Sequence, residues 1–263
     1  MFTQILLLPI VLLITATLLA VPLSKYIAWI MDGKYNAKYG FAWIEARLNS
    51  GPQNWRQYAT ALLIFSTALF IFGYIVLALQ PWLPLNPDHK TMLAPSTIFH
   101  SAASFMTNTD LQHYAGEQHL SNFSQIFFCM SNFFCSAAIG VSALMAVIRA
   151  LRGDANVGNF FVDVWRVAIY LLLPLAFIFA LIFLQQGSPM TYASSYKALG
   201  LDAANTQNIV VGPVAAFESI KMLGTNGGGF YGMNSAHPFE NPTALTNFFN
   251  MLAMMLLPFA LIL

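Results

Sequence analysis

Charge is scarce in this chain, and what there is nearly cancels. Lys and Arg number 11 and Asp and Glu 10 in 263 residues, 8% in all, for a net charge of +1. A nucleic-acid partner needs a basic face or stripe, and so thin a complement excludes one. Cysteine is nearly absent: Cys129 and Cys135 are the only two. They stand six positions apart in one apolar run, about 600° around a helix, so they point to different faces and cannot bridge. Packing is expected of them rather than metal or redox chemistry. No phosphate-cradling lysine follows the glycine run Gly227-Gly228-Gly229. Gly227 to Gly232 spells G-x-G-x-x-G, but without a preceding strand or an acid about twenty residues on. Nucleotide binding and ATP hydrolysis by this chain are therefore not expected, and no catalytic residue is assigned.

What is present in excess is apolar surface. Hydrophobic residues make up 58% of the chain and mean hydropathy is +0.64, outside the range of soluble domains. Five runs, approximately Ile5 to Leu23, Ala59 to Leu79, Asn122 to Ile148, Val164 to Leu184 and Leu245 to Leu263, are long enough to cross a hydrocarbon core of about 30 Å. The first has neither a basic leader nor a small-residue cleavage site and is read as a retained helix. The fold class expected is an all-α, polytopic membrane bundle. Lys25, Lys34, Lys38, Arg47, Arg56, Arg149, Arg152 and Arg166 fall in two connections, which marks these as cytoplasmic and puts the N-terminus outside.

Two segments on the outer side are too short to span and too apolar for ordinary loops: about Pro95 to Met106 and about Gly212 to Leu223. A helix of roughly ten residues covers about 15 Å, half the bilayer core. Pro95 and Gly212-Pro213 supply helix starts. Each segment runs into a Thr-Asn sequence, Thr107-Asn108-Thr109 and Gly224-Thr225-Asn226-Gly227-Gly228-Gly229. An offset of 118 aligns Phe99 with Phe217, Ser101 with Ser219, Thr107 with Thr225 and Asn108 with Asn226, so the unit of helix, half-helix, loop and helix occurs twice. The division expected is an N-terminal helix and cytoplasmic loop over 1–57, a first membrane-pore-membrane repeat over 58–150 and a second over 151–263.

Re-entrant half-helices would aim the negative ends of their dipoles at the two loops, which favours a cation. A dehydrating filter needs a row of backbone carbonyls, and glycines give the backbone that freedom. The threonine hydroxyls would add oxygen ligands and the Asn amides would brace the loops from behind. Asp110, Glu117 and Glu240 are candidates for charge near the outer mouths. His100, His113, His119 and His237 also collect on that side, with no spacing that converges on a metal. In the third run, Ser124, Gln125, Ser131, Asn132 and Ser136 are expected to bond neighbouring helices rather than line a hydrated path.

The stretch Gly224 to Phe230, continued by Asn234-Ser235-Ala236-His237-Pro238-Phe239-Glu240-Asn241-Pro242-Thr243-Ala244-Leu245-Thr246-Asn247, closely resembles the potassium-binding subunit of the bacterial Kdp potassium-transporting ATPase. Thr107-Asn108-Thr109 with Gln112, followed by Tyr114-Ala115-Gly116-Glu117, resembles it too. The resemblance implies pore repeats around a pseudo-fourfold axis, K+ as the transported ion, and a place in the bacterial inner membrane. It implies a P-type ATPase catalytic subunit and small single-span accessory subunits as partners, within the lipid bilayer. It carries filter roles to Thr107, Asn108 and Thr109, to Thr225, Asn226, Gly227 and Gly228, and positions near the outer site to Gln112 and Asn234. Two departures stand out. The family usually has Asn-Trp where this chain has Asp110-Leu111, and it has four repeats where this chain has two, so the sequence is expected to be the N-terminal half of such a subunit. The competing expectations are a self-contained potassium channel or ion-coupled symporter of the same superfamily, and a non-transporting remnant.

Overall fold

The computed structural model of this protein describes residues 2–35, 41–200 and 206–263. Lys38, one of the basic residues used to assign the inner side, lies outside the described residues. Eight helices carry the architecture: α1 (Phe2–Met31), α2 (Phe41–Leu48), α3 (Trp55–Ala78), α4 (Pro95–Met106), α5 (Asn122–Leu151), α6 (Phe160–Gln185), α7 (Val214–Leu223) and α8 (Ala244–Ile262). Five of them, α1, α3, α5, α6 and α8, are long and apolar enough to cross a membrane. The chain is a multi-pass helical membrane protein. Among the described residues the sheet is one antiparallel pair, β1 (Tyr196–Leu199) with β2 (Thr206–Ile209), in the connection between α6 and α7.

The two half-length helices have defined starts. Pro95 is the first residue of α4, where a missing N–H is no loss. In α7 the helix begins one residue later than the Gly-Pro pair suggests: Pro213 is the cap and Val214 the first helical residue. α4 packs on α3 and α5, and α7 is held between α6 and α8. Every residue of α7 except Ala216 is buried, whereas the long helices expose Leu7, Ile14, Leu18, Leu63, Ile64 and Phe177 outward, as lipid-facing helices do. A stack of Phe105, Phe128, Phe133, Phe217 and Phe230 joins α4, α5 and α7 into one core.

The first helix continues well past Leu23, where hydropathy falls, to Met31. Ile27, Ile30 and Met31 are buried, and Tyr26 donates to the Tyr170 carbonyl at 2.8 Å. The Met31 carbonyl, at the α1 terminus, accepts from both Arg149 Nη2 (3.2 Å) and Arg166 Nη1 (3.3 Å). Cationic side chains on the last carbonyls stabilise a helix end, and here they extend it beyond what hydropathy alone supports. Two π-helical stretches, Gln125–Met130 in α5 and Arg166–Leu172 in α6, interrupt the regular ladder. Such insertions rotate the following turn and often mark functional segments.

On the same end of the bundle, Arg149 pairs with Asp163 at 2.5 Å, and Tyr58 donates to the same carboxylate at 3.1 Å. Arg166 pairs with Glu45, which also accepts from Tyr35. Removing one partner of a buried pair strands the other, at a cost of about 3–5 kcal/mol. Asp163→Ala is therefore expected to lower the thermal unfolding midpoint of the detergent-solubilised subunit sharply, with part of the loss recovered by adding Arg149→Met. An unchanged midpoint in the single variant would show that water already screens the pair.

Candidate functional site

Both half-length helices end inside the packed body, and what each does with its terminal carbonyls builds the site. At α4 the Ser104 carbonyl accepts the N–H groups of Thr109 (3.1 Å) and Asp110 (3.2 Å), while Ser104 Oγ accepts Leu111 N–H at 2.7 Å. That fold-back requires left-handed backbone at Asn108 (φ 61°) and Asp110 (φ 54°), residue types that tolerate it. At α7 the Ile220 and Lys221 carbonyls accept Gly224 N–H (2.8 Å) and Asn226 N–H (3.0 Å). Thr225 (φ 52°) and Gly228 (φ 69°) are left-handed there. A β-branched residue in that region is strained, so Thr225 is held by its surroundings rather than by preference.

The two loops meet. Asn226 Nδ2 lies 2.5 Å from Asn108 Oδ1, 2.9 Å from Asp110 Oδ2 and 3.3 Å from Ser136 Oγ. Ser136, on α5, sits behind both loops with its hydroxyl 2.7 Å from Asn108 Oδ1. Asn108 Nδ2 donates to the Gly224 carbonyl at 3.4 Å. Gln112 Nε2 crosses to the Gly229 carbonyl at 3.2 Å, and Gln125 Nε2, from the π-helical stretch of α5, donates to the Phe230 carbonyl at 3.0 Å. The structure thus brings together Thr107, Asn108, Thr109, Asp110 and Gln112 of the first loop with Thr225, Asn226, Gly227 and Gly228 of the second. Asn234 is exposed, and no side-chain bond among the described residues ties it to the loops.

The glycines are required by proximity as well as by angle. A Cβ on Gly227 would lie 3.0 Å from the Thr109 carbonyl oxygen. One on Gly228 would lie 2.6 Å from Gln112 Oε1 and 2.9 Å from the Asp110 carbonyl oxygen. Gly228 is therefore the more restrictive of the two, although the sequence makes Gly227 the natural candidate.

Acceptors outnumber donors here. Among the described residues, no protein hydrogen bond reaches the backbone oxygens of Thr107, Asn108, Thr109 and Asp110, or those of Thr225, Asn226, Gly227 and Gly228. Asp110 Oδ1, Gln112 Oε1, Gln125 Oε1, Asn132 Oδ1 and Asn226 Oδ1 are also buried without a donor. Thr107 and Thr109 place their hydroxyls 2.9 Å apart. An oxygen-rich, donor-poor cluster suits a cation that has shed water. A cavity of about 190 Å³ lies beside it, lined by Asn108, Ser136, Gly224 and Thr225 with Leu223 and Leu257.

Three expectations change, the first of them for Glu240, which is fully buried rather than open at an outer mouth. Asp110 is 1% exposed rather than open to an outer mouth, because Asn226 draws it between the loops. Burial pushes its carboxyl up to about 7, against the pull of the Asn226 amide and Gly227 N–H. His100 and His113 do converge, with Nε2 atoms 3.1 Å apart, since the fold-back after Asp110 returns the chain over α4. No group of three His, Cys, Asp or Glu residues suited to a metal occurs among the described residues. Cys129 and Cys135 are free thiols. Sequence reasoning also missed Glu218 and Lys221, fully buried and paired at 2.8 Å on α7. Opposite charges three apart within a ten-residue apolar helix were the available signal.

Residues 10–263 match the family model described as Potassium-transporting ATPase A subunit. The chain is similar to the potassium-transporting ATPase potassium-binding subunit of Allorhizobium ampelinum, 43% identical over 254 residues, covering 92% of this chain and 44% of that protein. The protein of the same name from Geobacillus kaustophilus is 43% identical over 253 residues, covering 92% and 45%. That from Caldanaerobacter subterraneus subsp. tengcongensis is 46% identical over 210 residues, covering 80% and 37%. The chain thus spans less than half the length of these curated relatives.

A carboxyl whose folded pKa is raised binds its proton more tightly folded than unfolded. Its contribution favours folding at low pH and is lost as pH rises from about 4 through about 7. Asp110→Asn removes that loss. The variant is expected to match the parent near pH 4 and to exceed it increasingly towards pH 8, by at most about 4 kcal/mol, as read from unfolding midpoints in detergent. A pH-independent difference would show that Asp110 does not titrate in this range.

Proposed function

The chain belongs to the potassium-transporting ATPase A subunit family, and we propose that it is the potassium-selecting part of an ATP-driven importer. Potassium from the outer side enters between the two loops and is held by the carbonyls of Thr107–Asp110 and Thr225–Gly228, with the threonine hydroxyls as further ligands. Asn108, Asn226 and Ser136 hold the loops together from behind. The observation that supports this most is the set of backbone oxygens, unbonded among the described residues, in both loops at the C-terminal ends of two half-length helices, where both dipoles favour positive charge. In this reading 58–150 and 151–263 are two membrane-pore-membrane repeats, and α4 and α7 are re-entrant.

Orientation follows from charge. Arg149 and Arg166 converge on the α1 terminus, so the basic residues of the first and third connections share one end, the cytoplasmic one by the positive-inside rule. The N-terminus is then extracytoplasmic and the membrane is the bacterial inner membrane. In this reading energy comes from a P-type ATPase catalytic subunit, with small single-span accessory subunits completing the assembly. The ion leaves the loops towards that partner.

The test is potassium-dependent ATP hydrolysis and uptake by the intact subunit assembled with its ATPase. Uptake that persists without ATP would identify a self-contained channel or symporter instead, and absence of potassium binding would identify a non-transporting protein. Within the assembly, Gly228→Ala is expected to raise half-saturating potassium by about tenfold or more, since the new Cβ would meet both Gln112 and the Asp110 carbonyl in a backbone conformation that disfavours it. Gly227→Ala should have a smaller effect in the same direction. Unchanged half-saturation and rubidium discrimination in Gly228→Ala would remove the second loop from the ion site.

A further inference from the structure

Behind the second loop lies a charge cluster that ion ligation does not use. Glu218, Lys221 and Glu240 are each fully buried. Lys221 Nζ stands 2.8 Å from Glu218 Oε2 and donates to Ser235 Oγ at 2.6 Å, and that hydroxyl donates to Glu218 Oε1 at 2.5 Å. The Glu240 carboxylate accepts the backbone N–H groups of Tyr231 (3.3 Å) and Ser235 (3.1 Å). Two carboxylates and one ammonium leave the cluster one negative charge in excess. Burying three charges is expensive, and apolar replacements of the same volume usually do at least as well for stability. A network kept at that cost fixes a geometry.

The geometry it holds is the exit from the glycine run. Asn234 (φ 49°) and Ser235 (φ 70°) are consecutive left-handed residues, neither of them glycine, a conformation that persists only where neighbours over-determine it. Glu240 grips the segment at both ends, through Tyr231 and Ser235. Its Oε1 also lies 2.7 Å from where a Cβ on Gly229 would sit, with Lys221 Nζ at 3.4 Å. On the opposite side Gln112 holds the Gly229 carbonyl. Gly229 is thus clamped between an amide of the first loop and a carboxylate of the buried cluster, one residue beyond Gly228.

We propose that Glu240, together with the Glu218–Lys221 pair and Ser235, is a positioning set that fixes the Gly229–Ser235 segment, so that ion discrimination at the Gly227–Gly228 backbone depends on this buried charge network. The inference rests on the proposed function above. The cluster touches no ion. It sets how far the second row of carbonyls can relax around a larger or smaller one.

The experiment compares Glu240→Gln, Glu240→Asp and Ser235→Ala in the intact subunit assembled with its ATPase, reading ATPase stimulation by potassium and by rubidium. Glu240→Gln is expected to raise half-saturating potassium by about tenfold and to narrow the potassium-over-rubidium preference, with the maximal rate within about twofold of the parent. Glu240→Asp, which keeps the charge, should recover part of the preference. Ser235→Ala, which keeps every charge but removes the bridging hydroxyl, should shift half-saturation by about threefold, and it carries the test if Glu240→Gln fails to assemble. Half-saturation and preference within twofold of the parent in the assembled variants, or a fall in maximal rate alone, would overturn the inference. If the unaltered complex is not stimulated by potassium, the proposed function itself falls.

Discussion

The contact between Asn108 and Asn226 is the constraint on which the site depends. These residues are 118 positions apart, each in the loop that follows a half-length helix, and their amides meet at 2.5 Å with Ser136 of α5 against both. A buried amide without a partner costs about 1–3 kcal/mol, more where no water can reach. Each loop therefore needs the other to accept from its Asn Nδ2, and separating them would leave the Asn108 donor unpaired and the Asn226 donor with Ser136 alone. The amide N–H groups are spent on the Gly224 carbonyl, Asn108 Oδ1 and Asp110 Oδ2, so among the described residues they donate to none of the neighbouring backbone oxygens of Thr107–Asp110 and Thr225–Gly228. A braced frame and unbonded loop carbonyls thus occur together, the combination that the proposed cation site needs.

The frame is supported from outside by buried and half-buried charges. Arg149 with Asp163 and Arg166 with Glu45 fasten one end of the bundle around the terminus of α1, and Glu218, Lys221 and Glu240 fasten the second loop. With only 21 ionisable Lys, Arg, Asp and Glu residues in the chain, counting the 11 and the 10, this is a concentrated use of charge. In a lipid-embedded bundle apolar packing gives little preference for one helix arrangement over another, because the tails are as apolar as the side chains. Directional polar contacts then decide which helices adjoin and in what register, and here they gather at helix ends and loops, with Ser136 and Gln125 reaching the loops from within α5.

Legibility in the sequence follows the same division. The five long helices and the two half-length ones could be read from hydropathy and from Pro95 and Gly212-Pro213, because length and local chemistry determine them. The continuation of α1 to Met31 could not, since it depends on arginines more than a hundred residues away. Asp110 reads as a solvated mouth charge until the second loop is seen to draw it in. His100 and His113 look unrelated until the chain folds back over α4. The Glu218–Lys221 pair was open to inspection at i, i+3, but its link to Glu240 through Ser235 was not. What escapes a sequence reading here is non-local pairing between polar groups, which hydrophobic periodicity does not encode.

The two loops are unequal, and the inequality has a physical sense. The first contributes side chains: two hydroxyls, an amide, and a carboxyl at Asp110, in a backbone that Asn and Asp turn without glycine. The second contributes backbone: glycines whose missing Cβ atoms let it approach the Thr109 and Asp110 carbonyls to within contact. Were both loops side-chain-rich, they could not come close enough to share an ion in the way proposed. Were both glycine runs, nothing would stop them relaxing to fit any ion offered. Pairing a compliant loop with a furnished one restores close approach, and the stiffness that glycine forfeits must come from elsewhere. In this chain it comes from Gln112 on one side of Gly229 and the buried carboxylate of Glu240 on the other.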